Sequence, residues 1–343
     1  MAELRRVHNP PSPFESRIIE WDEVPPPEAT LEVFEEEAKS IIAENDSPDV
    51  GFRFGVNPYR GCFHGCIYCY ARPSHQYWGF GAGSDFDRKI VVKVNAPELL
   101  AKELARDRCR GEALAFSGNT DCYQPLEASY ALTRRCLEVC LEARQPVGII
   151  TKGTVIRRDV ELLAALHEEA GVQAWISLAF SDDAMRKAFD PYAPPVDARL
   201  ETLRRLAQAG VPVGVALAPI LPGINESMIP AILERAAEAG ARRAFMTLVR
   251  LPREVHEVFD VRLEEVLPAR ARKVRQGILD MRGGRPNDPR FGARMRGTGP
   301  RWHAVEQMFA TWTRRLGMNQ DELPALRREN AKPPVRKGQL DLF

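Results

Sequence analysis

Cys62, Cys66 and Cys69 stand in a C-x3-C-x2-C spacing inside the stretch NPYRGCFHGCIYCYARP, Asn57 to Pro73. Three thiolates on one short loop can each hold an iron of a cubane cluster, leaving the fourth iron without a protein ligand and open to a substrate or cofactor. Zinc is the rival. It wants four ligands, so His64 or His75 would have to complete the set. Structural zinc loops usually arrive as two separated pairs of cysteines, and no second pair of that kind is present. Cys136 and Cys140, four residues apart in the helical pattern ALTRRCLEVCLE, read as core thiols, free Cys being among the most buried residue types.

These thiols need a scaffold, and the chain between Lys89 and Val249 offers one by alternating short β-branched runs with amphipathic helical patterns. The predicted strands are KIVVKV, ALAFSGN, VGIITK, AWISLAF, VPVGVALAP and RAFMTLV, with FRFGV leading directly into the cysteines. Helices fit at Glu98 to Arg106, Ser129 to Ala143, Asp159 to Ala170, Val196 to Ala209 and Ser227 to Ala239. Near-continuous apolar strands imply a parallel sheet or barrel covered on both faces. Chemistry in such barrels sits on the loops that follow the strands. Here those are Asn57 to Pro73, Ser117 to Glu127, Thr151 to Thr154, Ser181 to Asp183 and Pro219 to Asn225.

With 343 residues and 44% hydrophobic content, the chain can bury one large α/β domain or two small ones. No run approaches the roughly 18 apolar residues of a membrane span, and MAELRRVHNPPSP lacks the apolar region of a signal peptide. A cytoplasmic location is expected. Seven cysteines are an odd number for a disulfide framework, and clustered thiols in a reducing compartment are more often ligands or catalysts. Net charge is +1, yet the charge is unevenly placed. EATLEVFEEEAKSII is acidic and has apolar residues at Leu31, Phe34, Ala38 and Ile41, which predicts a helix with one face on the body. MRGGRPNDPRFGARMRGTGPR sets Arg282, Arg285, Arg290, Arg294, Arg296 and Arg301 against the single acid Asp288, so the Arg282 to Arg301 segment could bind phosphates of DNA.

Cys66-Ile67-Tyr68-Cys69 following a first barrel strand resembles the radical S-adenosylmethionine superfamily, in which an aromatic residue precedes the third cysteine. NPYRGC.HGC.YCYAR together with TD.YQP.E is most similar to the branch related to spore photoproduct lyase, the DNA repair photolyase-like proteins. The likeness runs from about Gly51 to the region of Gly317. It implies an α/β fold, a partial TIM-type (βα)6 barrel at 51–255 with an acidic extension at 1–50, a helical and basic extension at 256–320 and a flexible tail at 321–343. The implied cofactors are a 4Fe-4S cluster on Cys62, Cys66 and Cys69 and S-adenosylmethionine.

By the same resemblance Tyr68 lies near the adenine, and Ser117, Gly118, Asn119, Thr120 and Asp121 form the loop for the methionyl amine. Lys152 and Ser177 take ribose or carboxylate contacts, and Ile220 and Gly223 in APILPGIN lie against the adenine. Glu127 could instead cap the helix that follows it. One departure concerns the hydrogen-donating cysteine of spore photoproduct lyase, whose place falls on Gly118; Cys122 in the same loop is the alternative donor. The implied activity is radical hydrogen abstraction from DNA or a nucleobase, with flavodoxin or ferredoxin as electron donor. A peptide or small-metabolite substrate and a non-catalytic zinc scaffold are the alternatives. Finally, QLDLF, Gln339 to Phe343, resembles the peptide with which bacterial repair proteins dock on the DNA sliding clamp.

Overall fold

A computed structural model of the chain describes residues 5–7, 31–106, 109 and 112–320. In chain order it begins with β1 (Arg5–Val7), β2 (Glu32–Glu36), β3 (Ile42–Glu44), β4 (Phe54–Val56), β5 (Tyr59–Arg60), α1 (Ser84–Arg88), β6 (Lys89–Lys93) and α2 (Ala96–Leu104). Then follow β7 (Leu114–Phe116), α3 (Glu127–Tyr130), α4 (Leu132–Glu142), β8 (Val147–Thr151), α5 (Val160–Glu169), β9 (Val172–Ser177), α6 (Asp183–Phe189) and α7 (Val196–Gln208). The last are β10 (Val213–Ile220), α8 (Ile229–Glu238), β11 (Arg243–Leu248), α9 (Glu254–Val266), α10 (Pro268–Met281) and α11 (Gly299–Arg315).

The larger sheet has the order β11-β10-β9-β8-β7-β4-β3, in which all pairs are parallel except the edge strand β3 on β4. Six parallel strands laid down in chain order, with helices packed on their outer faces, make a partial TIM-type (βα)6 barrel. The strands are apolar on both sides for the expected reason. Val147, Val172, Ala174, Val215 and Phe54 are all fully buried in one continuous core with Leu163, Leu166, Leu203 and Leu233 from the surrounding helices. Each such aliphatic side chain contributes about 1.5 to 3 kcal/mol on leaving water.

Two sequence expectations fail here, for one physical reason. KIVVKV is not a barrel strand: β6 lies in a separate four-stranded sheet of order β1-β2-β6-β5. EATLEVF is not a helix either, because Glu32–Glu36 is extended and pairs in parallel with Lys89–Lys93. In that register Glu32 stands beside Lys89 and Glu36 beside Lys93. The acidic stretch and the basic-ended strand complement each other, and burial of Val33 against Tyr59, Ile90 and Val92 outweighs the local helical spacing.

Candidate functional site

The thiol loop leaves β4 and β5 and is held by its own arginine. Arg72 is 2% exposed and donates from Nε and Nη2 to the Cys66 carbonyl, from Nη2 to the Gly65 carbonyl, and from Nη1 to the Ala82 and Gly83 carbonyls. Its Nη2 also meets the Asp87 carboxylate at 2.9 Å. The turns around the thiols require glycine at two points. Gly61 and Gly65 have φ of +75° and +66°, and a Cβ would lie 2.8 Å from the Lys89 carbonyl oxygen and 2.9 Å from the Tyr192 ring respectively.

The second motif is bolted to the first. Asn57 Oδ1 accepts from the amides of Asn119 and Thr120, and the Thr120 hydroxyl donates to the Tyr59 carbonyl. Gln124 donates to the Gly61 carbonyl and accepts from the Phe63 amide, while the Tyr70 hydroxyl donates to the Gly118 carbonyl at 2.7 Å. His64 Nδ1 lies 3.3 Å from Asp121 Oδ2. Asp121 also accepts from the Lys152 and Tyr123 amides and the Thr151 hydroxyl, so it ties the thiol loop to the turn after β8. Burial opposes its ionisation, but His64, the Lys152 amide and the Thr151 hydroxyl outweigh it and hold the carboxyl down at about 2. Ser117 adopts φ of 76°, rare for a residue with a Cβ, and its Oγ accepts the Cys122 amide to close the loop.

Glu127 is fully buried, accepts from the Tyr59 hydroxyl and the Arg158 guanidinium, and takes the amides of Thr133 and Arg134. It therefore caps the N-terminus of α4, the alternative the sequence left open. Beneath the thiol loop lies a charged group that sequence reasoning missed. The Tyr68 hydroxyl donates to Asp190, whose other oxygen is 3.7 Å from Arg199 Nη1; both charged residues are at most 1% exposed. Arg199 also donates to the carbonyl of Ser177 at the end of β9. The Lys152 ammonium sits 5.7 Å from the centre of the Tyr68 ring. Burial works against charge on Lys152, yet Cys66 and Asp190 leave its ammonium pKa raised. Thus the buried Asp190–Arg199 pair joins the Tyr68 hydroxyl of the thiol loop to the Ser177 carbonyl, with the half-buried Lys152 beside the Tyr68 ring.

Other expected residues are placed differently. Cys122 is 1% exposed within the main core, and Ile220 is buried there as well. The open side of Gly223 faces Lys273 of α10 and Arg301 of α11. Five of the six arginines of the basic segment are committed to the fold, and Arg285 is exposed. Arg282 donates to the Val249, Arg294 and Arg296 carbonyls; Arg290 pairs with Asp288, Arg294 with Asp49, Arg296 with Glu306 and Arg301 with Glu226. The loop lines a cavity of about 540 Å³, and apart from its own Asp288 the balancing acids Asp49, Glu226 and Glu306 come from outside it. Gln339 to Phe343 lies outside the described residues. Among the described residues no helix is long and apolar enough to cross a membrane.

All seven cysteines are free thiols, and Cys136 and Cys140 are fully buried as core residues. The donor set fits a cluster better than a zinc ion. His64 faces Asp121, and His75 is packed against Phe80 and Phe86. Among the described residues no three His, Cys, Asp or Glu side chains converge on a point that one ion could occupy. Three soft thiols spread along one fixed loop suit separate corners of an iron–sulfur cube. Burial raises all three thiol pKa values, Cys62 to about 12, so a metal must displace their protons on binding.

Residues 56–236 match the family model of the Radical SAM superfamily. The uncharacterized protein Rv2578c of Mycobacterium tuberculosis is 39% identical over 192 residues, 55% of this chain and 56% of that protein. The uncharacterized protein MJ0683 of Methanocaldococcus jannaschii is 25% identical over 194 residues, 57% of this chain and 70% of that protein. The chain thus matches little more than half the length of the mycobacterial relative. Among solved structures, spore photoproduct lyase complexed with dinucleoside spore photoproduct aligns with a TM-score of 0.60 and 16% identity over 83% of this chain and 80% of that one. A point variant of the same enzyme aligns with a TM-score of 0.57 and 17% identity over 80% and 77%. At that identity the likeness is one of fold.

Proposed function

The chain belongs to the radical SAM superfamily, and from that premise we propose that it is an enzyme that abstracts hydrogen from DNA or a nucleobase. When a 4Fe-4S cluster and S-adenosylmethionine are bound, one external electron breaks a carbon–sulfur bond of the cofactor and supplies a carbon radical able to take that hydrogen. The chain's own task is to bind, orient and exclude water. Cys62, Cys66 and Cys69 would hold the cluster. Backbone groups of Ser117 to Asn119, carried at a fixed height by Asn57 and Tyr70, would meet the methionyl amine. Lys152 supplies a positive charge for the carboxylate beside the Tyr68 ring. Thr120 and Asp121 act one step back, since their side-chain oxygens are already engaged by protein groups.

The observation that carries this reading is the interlock of the two motifs: the thiol loop and the 117–127 loop are joined through Asn57, Tyr59, Gln124, Asp121 and Tyr70. A shared fold with an enzyme seen complexed with a dinucleoside photoproduct supports a nucleic-acid substrate. The reductant is a small electron carrier such as flavodoxin or ferredoxin, and Gln339 to Phe343 is proposed as a clamp-docking peptide. The test is anaerobic reconstitution with iron and sulfide, chemical reduction, and incubation with deuterated DNA. Deuterium in 5′-deoxyadenosine is the expected result. Iron-replete protein that makes no 5′-deoxyadenosine would overturn the radical reading. Unlabelled 5′-deoxyadenosine in the presence of every deuterated DNA would overturn the substrate.

A further inference from the structure

Among the described residues, a cation on the barrel rim lies outside the Gly/Arg-rich loop. Arg250 follows β11, on the rim shared with the thiol loop, because the strands are parallel and their C-terminal ends face one way. Its guanidinium lies 5.3 Å from the centre of the Tyr70 ring and its Nη1 is 3.8 Å from Met295 Sδ. Among the described residues no carboxylate lies within ion-pair distance of it. Tyr70 directly follows the ligand Cys69 and is 48% exposed. A second pair of the same make stands beside it: Arg294 lies 4.5 Å from the centre of the Phe291 ring, and that ring is 57% exposed. The charges of Arg250 and Arg294 repel each other, and Asp49, which pairs with Arg294, attracts Arg250 at longer range.

The backbone under Arg250 is fixed. The Leu248 amide donates to the Met295 carbonyl, the Val249 amide to the Ile220 carbonyl and the Leu251 amide to Asn287 Oδ1, while Arg282 grips the Val249 carbonyl. So the arginine-rich loop holds Arg250 in place. Two exposed aromatic faces, each backed by a guanidinium, are elements that bind a single strand: the rings stack on bases and Arg250, which has no carboxylate at ion-pair distance, takes a phosphate, while Arg294, held by Asp49, positions the Phe291 ring.

We propose that Tyr70, Arg250, Phe291 and Arg294 form a clamp for a single-stranded or extruded nucleic-acid segment at the barrel mouth. The proposal rests on the nucleic-acid reading above and names the surface that reading lacked. A base extruded from a duplex must cross this rim to reach a recessed cofactor. Tyr70 couples the clamp to the cofactor loops, since its hydroxyl bonds the Gly118 carbonyl.

The test is fluorescence anisotropy of labelled oligo-dT, oligo-U and a matched duplex with the iron-replete full chain, across a salt series. Arg250→Ala and Phe291→Ala are compared with wild type and with Arg204→Ala on α7. S-adenosylmethionine affinity and iron content are read on the same samples. The expected result is binding of single strands that falls about tenfold or more in both clamp variants, with a salt slope lower by about one for Arg250→Ala and no change for Arg204→Ala. Iron and cofactor affinity stay at wild-type values. The deoxy and ribo arms decide which strand is preferred. Equal oligonucleotide binding by wild type and both clamp variants overturns the clamp and leaves the nucleic-acid substrate standing. Competition by polyglutamate as effective as by oligonucleotide overturns it too, since the site would then be a general anion sink. Wild type that binds no oligonucleotide overturns the clamp together with the nucleic-acid reading.

Discussion

The Arg72 guanidinium donates twice to the carbonyl of Cys66, from Nε at 3.2 Å and from Nη2 at 2.9 Å, and so holds the backbone of a proposed cluster ligand from beneath. Its partner Asp87 is 8% exposed. Arg72→Ala would leave that carboxylate buried without its cation, at a cost of about 3 to 5 kcal/mol. Arg72→Lys keeps the charge but cannot reach the Gly65, Cys66, Ala82 and Gly83 carbonyls together. Urea unfolding of the iron-free protein should show the loss for Ala, and both variants should retain less iron per chain. An Arg72→Ala protein of wild-type stability and iron content would show that the loop stands without it.

Single Ala replacements at Cys62, Cys66 and Cys69 should each abolish cofactor cleavage and most retained iron, while Cys136→Ala and Cys140→Ala keep both. The core pair should lose only about 1 to 2 kcal/mol through packing. Iron assay with 5′-deoxyadenosine quantitation decides between the two sets. Normal iron in all three loop variants would move the cluster elsewhere.

Gly153→Ala should be among the most damaging changes outside the thiol loop. A Cβ there would lie 2.0 Å from the Tyr123 carbonyl oxygen, which is backbone and cannot swing aside. Relief requires the Thr151–Gly153 turn to move, and with it Lys152. A loss of roughly 3 kcal/mol is expected from forced overpacking. Thermal unfolding measures the stability, and calorimetric titration of S-adenosylmethionine measures the displacement of Lys152. A variant unchanged in both would refute the close approach.

His75 supplies a pH test away from the ligands. It is 1% exposed, and neither ring nitrogen has a hydrogen-bond partner among the described residues. Burial lowers its pKa from 6.5 to about 4, with the Asp85 carboxylate pulling it up and the Lys89 ammonium down. The unfolded chain therefore binds the proton more readily, so stability is full above about 6.5 and falls as the pH drops towards 4. The loss on full protonation is about 3 kcal/mol. His75→Phe should remove that part of the acid sensitivity, read as the difference in urea midpoint between neutral and acid solution. Identical pH dependence in the two proteins would contradict it.

Much of the candidate site could be read from the chain because its residue types stand together at short range. Cys62, Cys66, Tyr68 and Cys69 fall on one loop, and no folding is needed to bring them near each other. The βα alternation likewise survives in sequence, since strands covered on both faces must be apolar throughout. Glu127 was legible as a cap because its targets, the Thr133 and Arg134 amides, lie within seven residues.

What remained hidden depends on partners far away in the chain. Asp190 reaches Tyr68 across 122 positions, and in sequence it is one acid among 47. The helical spacing of EATLEVF is real, yet β6 offers a register in which Glu32 and Glu36 meet Lys89 and Lys93, and a local preference of tenths of a kcal/mol per residue yields to that pairing. The arginines from Arg282 to Arg301 looked free because their acids, Asp49, Glu226 and Glu306, are not beside them in sequence. Sequence fixes which charges exist and which thiols can share a cluster. Only the fold decides which charges neutralise each other, because a salt bridge is set by a few ångströms of space, and so only the fold could single out Arg250.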